Sequence, residues 1–163
     1  MEIKESVAIV TGGARRVGQV IATELAARGA HVVFTYRTGD PQETLEGIRA
    51  HGVEGMALYV DVLEWDQAKA VAEQVIERFG RVDILVNNAS VWNSAPFLEI
   101  DRKQWELSIG ANLTGPFLCA QAVAPHMLAQ KSGHIVNITD LSAYQTWPRF
   151  ADHSASKAGL VAL

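Results

Sequence analysis

An α/β domain built on one doubly wound parallel sheet is predicted by three observations. Short runs rich in Val and Ile recur along the chain, longer amphipathic segments separate them, and a glycine-rich turn joins the first run to the first such segment. The runs are Val7–Thr11, His31–Tyr36, Gly55–Val60, Val82–Asn87 and His134–Thr139. Nearly unbroken hydrophobicity of this kind suits strands covered on both faces. Strand, helix, strand in repetition requires right-handed crossovers that lay helices on both sides of the sheet. The expected strand order is 3-2-1-4-5, with ligand outside the carboxyl ends of the strands where the order reverses.

The intervening segments read as helices. In the first, Val17, Ile21 and Leu25 share a face, and Gly29 stands where a helix ends. The second opens Asp40-Pro41-Gln42-Glu43, with a capping acid, a proline at the first helical position and a glutamate three residues after the cap. The third sets Ala68, Val71, Val75 and Phe79 on one stripe and stops at Gly80. The fourth, from about Trp105 to Leu128, is long and contains Gly110, Gly115, Pro116 and Pro125. Pro116 has no N–H for the carbonyl of Asn112, so a kink is expected there. The last pattern, His153 to Leu163, ends on apolar residues without a cap, as a truncated domain would.

Composition bounds the function classes. The 163 residues are 48% hydrophobic and 20% charged, which suits a single globular domain and excludes a disordered tail, a collagen-like rod or a disulfide scaffold. Fourteen basic and eighteen acidic residues give a net charge of −4, so nothing draws the chain to nucleic acid or anionic lipid. The single cysteine, Cys119, excludes an internal disulfide and fits a reducing compartment. The histidines lack ligand spacing, and no metal is expected. The charged opening MEIKES does not resemble a signal peptide, and no run approaches a membrane span. The expected location is cytoplasmic.

The turn Thr11–Gly18, TGGARRVG, carries the strongest local signal. Glycine between a strand and a helix lets backbone N–H groups approach a pyrophosphate, which the helix N-terminus favours electrostatically. No Gly-Lys-Ser/Thr follows, so it is not a Walker loop. This is a Rossmann-type turn, with Gly12, Arg15, Arg16, Val17 and Gly18 as candidate cofactor ligands. An acid at the end of the second strand would select NAD(H), and a base would accommodate the 2′-phosphate of NADP(H). Here that strand ends Tyr36-Arg37, and Asp40 is committed to capping. Arg37 and Arg15 therefore point to NADP(H).

With Asp61-Val62 after the third strand, Asn87-Asn88-Ala89-Ser90 after the fourth, Asn112 and the SASKAGL segment from Ser154, the sequence resembles the short-chain dehydrogenases/reductases over its whole length. The resemblance implies that Asp61 contacts the adenine, that Asn88 and Ala89, followed by Ser90, lie against the adenosine ribose, and that Lys157 binds the nicotinamide ribose. It also implies a homo-oligomer for the full-length form, with later strands and a substrate-covering loop beyond Leu163. Arg16 in place of the middle glycine, the serine of NNAS, the Tyr-Arg-Thr run and Asp140 lean towards a pteridine-reductase-like branch. A 3-oxoacyl-carrier-protein-reductase-like reading fits nearly as well.

The catalytic position departs from the pattern. The family's tyrosine stands four residues before its lysine, and here that residue is His153; the family's serine position falls on Asp140. The expected constellation is Asn112, Asp140, His153 and Lys157. His153 and Lys157, at i and i+4, share a helix face. A nearby ammonium disfavours imidazolium and Asp140 favours it, so either protonation state is open. Tyr144 lacks a helical lysine partner, and Trp92 and Trp147 either wall a planar substrate or pack. The expected activity is NADP(H)-dependent reduction of a carbonyl or pterin-like C=N small-molecule substrate. The alternative is a nucleotide-binding fragment or pseudo-enzyme. A methyltransferase has no use for NNAS and SASK.

Overall fold

Strands β1 (Val7–Val10), β2 (His31–Tyr36), β3 (Gly55–Tyr59), β4 (Ile84–Asn87) and β5 (His134–Asn137) pair in parallel in the order β3-β2-β1-β4-β5 in the computed structural model, which describes residues 2–163. The reversal between β1 and β4 is the predicted one. Side chains alternate across the central strands and feed two cores. On one face Ala8, Val10, Val32 and Phe34 meet Ala22 and Ala26 of α1 (Arg16–Ala27) and Leu45 and Ile48 of α2 (Gln42–Arg49). On the other, Val7, Ile9, Val33 and Leu85 meet Val71 and Val75 of α3 (Trp65–Phe79) and Val123 and Met127 of α5 (Gly115–Gln130).

Helix ends follow local chemistry. Gly29 (φ +88°) and Gly80 (φ +72°) take the left-handed conformation just past α1 and α3, where a side chain would be strained. The Asp40 carboxylate accepts the Gln42 N–H at 3.0 Å, as its capping role requires.

Three expectations need correction. The buried stripe of α1 is Gly18, Ala22 and Ala26, one position on from the expected face; Val17 is 60% exposed, and Ile21 and Leu25 flank the core. Small residues let this helix lie close to the sheet, and bulkier neighbours pack beside the contact. The edge strand β5 is not covered on both sides, because the adjacent residues Ile135 and Val136 point to opposite faces and both are exposed among the described residues. The run Arg102–Gln130 is a helical rod long and apolar enough to cross a membrane by length and composition, contrary to the sequence reading. Val123 and Met127 pack against α3 and the sheet while Leu128 is 77% exposed, and 44% of the most apolar window is buried within the fold.

That rod is not uniform. Between α4 (Arg102–Ile109) and α5 lies a five-residue π turn, Gly110–Thr114, where the Gly115 N–H donates to Gly110 five residues back. The irregularity expected from Pro116 thus takes the form of a π turn just before it, and it aims the fully buried Asn112 inward. Helix α6 (Ala151–Ala162) packs against α4 and this turn.

Phe34 fills the centre of the first core with no exposed surface. Phe34→Ala is expected to cost about 3–5 kcal/mol, measured as a lowered urea midpoint at unchanged slope.

Candidate active site

The site begins with the hydroxyl of Thr11. It accepts the N–H groups of Asn88 (2.9 Å) and Ala89 (3.0 Å), stitching the end of β4 to the turn after β1. The Asn88 amide returns the contact, donating to the carbonyls of Thr11 (2.9 Å) and Gly12 (3.2 Å). Approach this close leaves no room for side chains. A Cβ at Gly12 would stand 3.0 Å from the Ala89 Cα, and one at Gly18 would stand 2.2 Å from the Gly12 carbonyl oxygen. Gly13 is pressed on Phe34 and donates its N–H to Thr35 (2.9 Å). Arg16 holds φ +52°, left-handed backbone that glycine adopts without strain.

Every residue that the sequence assigns to the cofactor, Lys157 apart, lines one cleft of about 510 Å³ at the carboxyl ends of β1, β2 and β4. Arg15 and Arg16 stand at the amino end of α1, whose first turn carries no acid. Tyr36 and Arg37 close the β2 side, and Asp61 and Val62 the β3 side. Arg37 donates to Asp61 at 3.1 Å, so part of its charge is answered within the protein. Asn88 lines the cleft and, in addition, spends its amide on the turn. The cleft wall also includes Thr35, Val91, Trp92 and Asn93.

Beyond Trp92 the four expected catalytic residues do assemble. The Asn112 carbonyl oxygen accepts the Val91 N–H (2.8 Å) and the Ser90 hydroxyl (2.9 Å); its amide donates to the Val91 carbonyl (3.1 Å) and to Ser156 Oγ (3.0 Å). His153, 1% exposed, sets Nε2 at 2.8 Å from Asp140 Oδ2 and Nδ1 at 3.2 Å from the Val91 carbonyl. Trp92 covers the ring, with centroids 4.5 Å apart, and Trp147 and Phe150 pack on Trp92. Lys157, also buried, donates to the Ile138 carbonyl at 2.8 Å. It does not line the cleft. Tyr144 is 74% exposed, just after a short 3₁₀ turn.

Burial opposes ionisation of Asp140, but hydrogen bonds from Ser142 and His153 outweigh it and hold its carboxyl below the usual carboxylate range. Burial lowers the Lys157 ammonium, and the Asp140 charge partly restores it. Burial alone raises the Cys119 thiol to about 11, which makes it an inert core residue.

A family model described as short chain dehydrogenase matches residues 6–163. The chain belongs to the short chain dehydrogenase family. Its similarity to 3-oxoacyl-[acyl-carrier-protein] reductase FabG of Staphylococcus epidermidis is 38% identity over 158 residues, 96% of this chain and 65% of that protein. It is 36% identical to an uncharacterized oxidoreductase of Thermotoga maritima, covering 99% of this chain and 63% of that one. The chain therefore spans about 65% of the length of the curated relatives it matches. Among solved structures, a short-chain alcohol dehydrogenase from Sinorhizobium meliloti superposes with a TM-score of 0.94 at 38% identity, over 99% of this chain and 66% of that one. A metagenomic short-chain oxidoreductase in complex with NADP gives 0.93 at 36%, over 99% and 74%.

Sequence reasoning misses two features of this short chain dehydrogenase. Thr11 reads as the end of a strand, although a hydroxyl directly before paired glycines is well placed to reach across to β4. Asp152 gives no signal beside His153. It is wholly buried, and its Oδ2 accepts from Ser108 (2.6 Å) and Gln104 (3.1 Å) while Oδ1 has no partner.

Thr11→Val should orphan two backbone donors and lower stability by about 1–3 kcal/mol in chemical denaturation. Arg16→Gly should raise it by up to about 1 kcal/mol, since the left-handed strain disappears. Asp140 has a lowered pKa, so its contribution to stability is complete above its unfolded value. An acid titration of the wild type should lose that contribution as pH falls through the lowered folded value, and Asp140→Asn should flatten this part of the curve.

Proposed function

We propose that this chain binds NADP(H) in the cleft and reduces a carbonyl-bearing small molecule. The observation that carries the reading is the amino end of α1, where a turn free of side chains at Gly12 and Gly18 meets a helix terminus flanked by Arg15 and Arg16. Backbone donors, the helix dipole and guanidinium groups there suit a pyrophosphate and one more phosphate. No acidic residue ends β2. Asp61 answers part of the Arg37 charge, and Arg15 and Arg16 add positive charge for a 2′-phosphate. A neighbouring structure whose name includes NADP supports the choice of cofactor, and a relative named as a 3-oxoacyl reductase supports a carbonyl over a C=N bond.

When bound, the reduced nicotinamide supplies a hydride to an electrophilic carbon. This chain's own residues then have three tasks. The turn and Arg15, Arg16 and Arg37 hold the dinucleotide. Asn112 locks Val91 and Ser90 at the inner end of the cleft. Asp140, His153 and Lys157 supply charge and a proton beside it.

A second reading, nucleotide binding without turnover, draws on one fact: the histidine in the tyrosine position is buried and cannot touch a substrate.

Fluorescence titration should show NADPH binding at least tenfold tighter than NADH. Replacing Arg15 and Arg16 together by Ala should erase most of that preference, each charged hydrogen bond being worth about 1.5–3 kcal/mol. Equal affinity for both dinucleotides in the wild type would overturn the cofactor assignment.

A further inference from the structure

We propose that Asp140 is the group that gives a proton to the substrate, and that the buried His153 stands behind it as the imidazolium that replenishes the carboxyl. The inference rests on the reductase reading above and names which atom of the site meets the substrate.

Exposure separates the candidates. His153 is 1% exposed beneath Trp92, Asn112 is fully buried and Lys157 is 4% exposed. The Asp140 side chain is 32% exposed. A substrate reaching this cluster can therefore touch one of the four, and it is the carboxyl.

Hydrogen-bond accounting assigns the ring protons. A carboxylate oxygen only accepts, so Nε2, 2.8 Å from Asp140 Oδ2, carries a hydrogen. Nδ1 lies 3.2 Å from the Val91 carbonyl and 3.2 Å from the Asn112 amide nitrogen. The Val91 N–H must meet an acceptor, which fixes the Asn112 oxygen towards it and its nitrogen towards the ring. Both Asn112 hydrogens then have nearer acceptors, the Val91 carbonyl at 3.1 Å and Ser156 Oγ at 3.0 Å, the Ser156 hydrogen being given to the His153 carbonyl at 2.7 Å. Nδ1 is left to donate to the Val91 carbonyl. With hydrogens on both nitrogens, the ring is an imidazolium paired with a carboxylate.

The charged groups around the ring are few. Asp140 faces it from the loop after β5, and Lys157 follows it by one turn on α6 and is coupled to Asp140. Asp152, also on α6, is engaged by Ser108 and Gln104 of α4. The π turn and the segment after β4 present only the neutral Asn112, Val91 and Trp92.

The proton step balances with these groups alone. As the substrate oxygen becomes basic, the Nε2–H bond of His153 breaks, its proton crosses to the Asp140 carboxylate, and the carboxyl so formed gives that proton to the substrate oxygen in a new O–H bond, which leaves Asp140 a carboxylate again. The imidazole is left neutral with Nδ1–H still on the Val91 carbonyl, so no buried donor is orphaned. Solvent returns one proton through the exposed carboxyl. Asp140 is thus the catalytic acid, and His153 acts through it.

The test uses the intact protein and the variants Asp140→Asn and His153→Gln. The amide introduced by Asp140→Asn keeps an acceptor for Ser142, so the loop is expected to hold. In ¹⁵N NMR without cofactor at neutral pH, the wild-type ring should be protonated on both nitrogens; in Asp140→Asn it should lose the Nε2 proton. With NADPH and a 3-oxoacyl thioester, Asp140→Asn should lose about 100-fold or more in rate while binding NADPH within threefold of wild type. His153→Gln should abolish the high-pH fall of the wild-type rate profile and leave a slower enzyme. A singly protonated wild-type ring, or an Asp140→Asn rate within threefold of wild type, overturns the inference. Tight NADPH binding with no carbonyl turnover by the wild type at any pH also overturns it and favours the second reading. A doubly protonated ring in a protein that ignores NADPH instead overturns the reductase reading.

Discussion

The contact between the Thr11 hydroxyl and the backbone of Asn88 and Ala89 governs the carboxyl edge of this sheet. It joins the turn after β1 to the end of β4, the two segments between which the strand order reverses. Because the join is made at hydrogen-bond distance, glycine is required at positions 12 and 18, and a gap free of side chains is left at the amino end of α1. Asn88 reinforces the join from the other side. A residue that lines the cleft is thus also a brace, and the cleft has its shape because that brace is in place.

A second constraint acts at the inner end of the cleft. The π turn before α5 rotates Asn112 inward, where it satisfies Val91 and Ser90 with its oxygen and Ser156 with its nitrogen. A buried amide so fully occupied gives the segment after β4 one position relative to α6. The π turn, Trp92 and His153 form a stack in which each element fixes the next. Asn112, Ser156 and both ring nitrogens of His153 are partnered there, and the Asp140 side chain is 32% exposed.

The fold is legible in the sequence because hydrophobic periodicity and turn chemistry are local. The five runs, the capping acid at Asp40 and the left-handed glycines at 29 and 80 each act within a few residues of themselves. The α1 stripe falls one position away from its sequence reading because bulky residues suggest a core, whereas close packing on a sheet favours Gly18, Ala22 and Ala26. The coverage of β5 is not legible, since it depends on what packs against an edge strand.

For the site, the residues themselves pointed to the turn of Thr11–Gly18 and its arginines, and the family resemblance supplied the frame that singles out Asn112 and sets His153 thirteen residues after Asp140. The amino-acid sequence by itself thus determined the sheet, the cleft and the departure from a tyrosine. Only the tertiary structure decided that His153 lies beneath Trp92, that Asn88 braces the turn and that Asp140 is exposed. Those outcomes depend on contacts between segments far apart along the chain, whose distances and solvent access arise only once the strands have paired and α6 has docked.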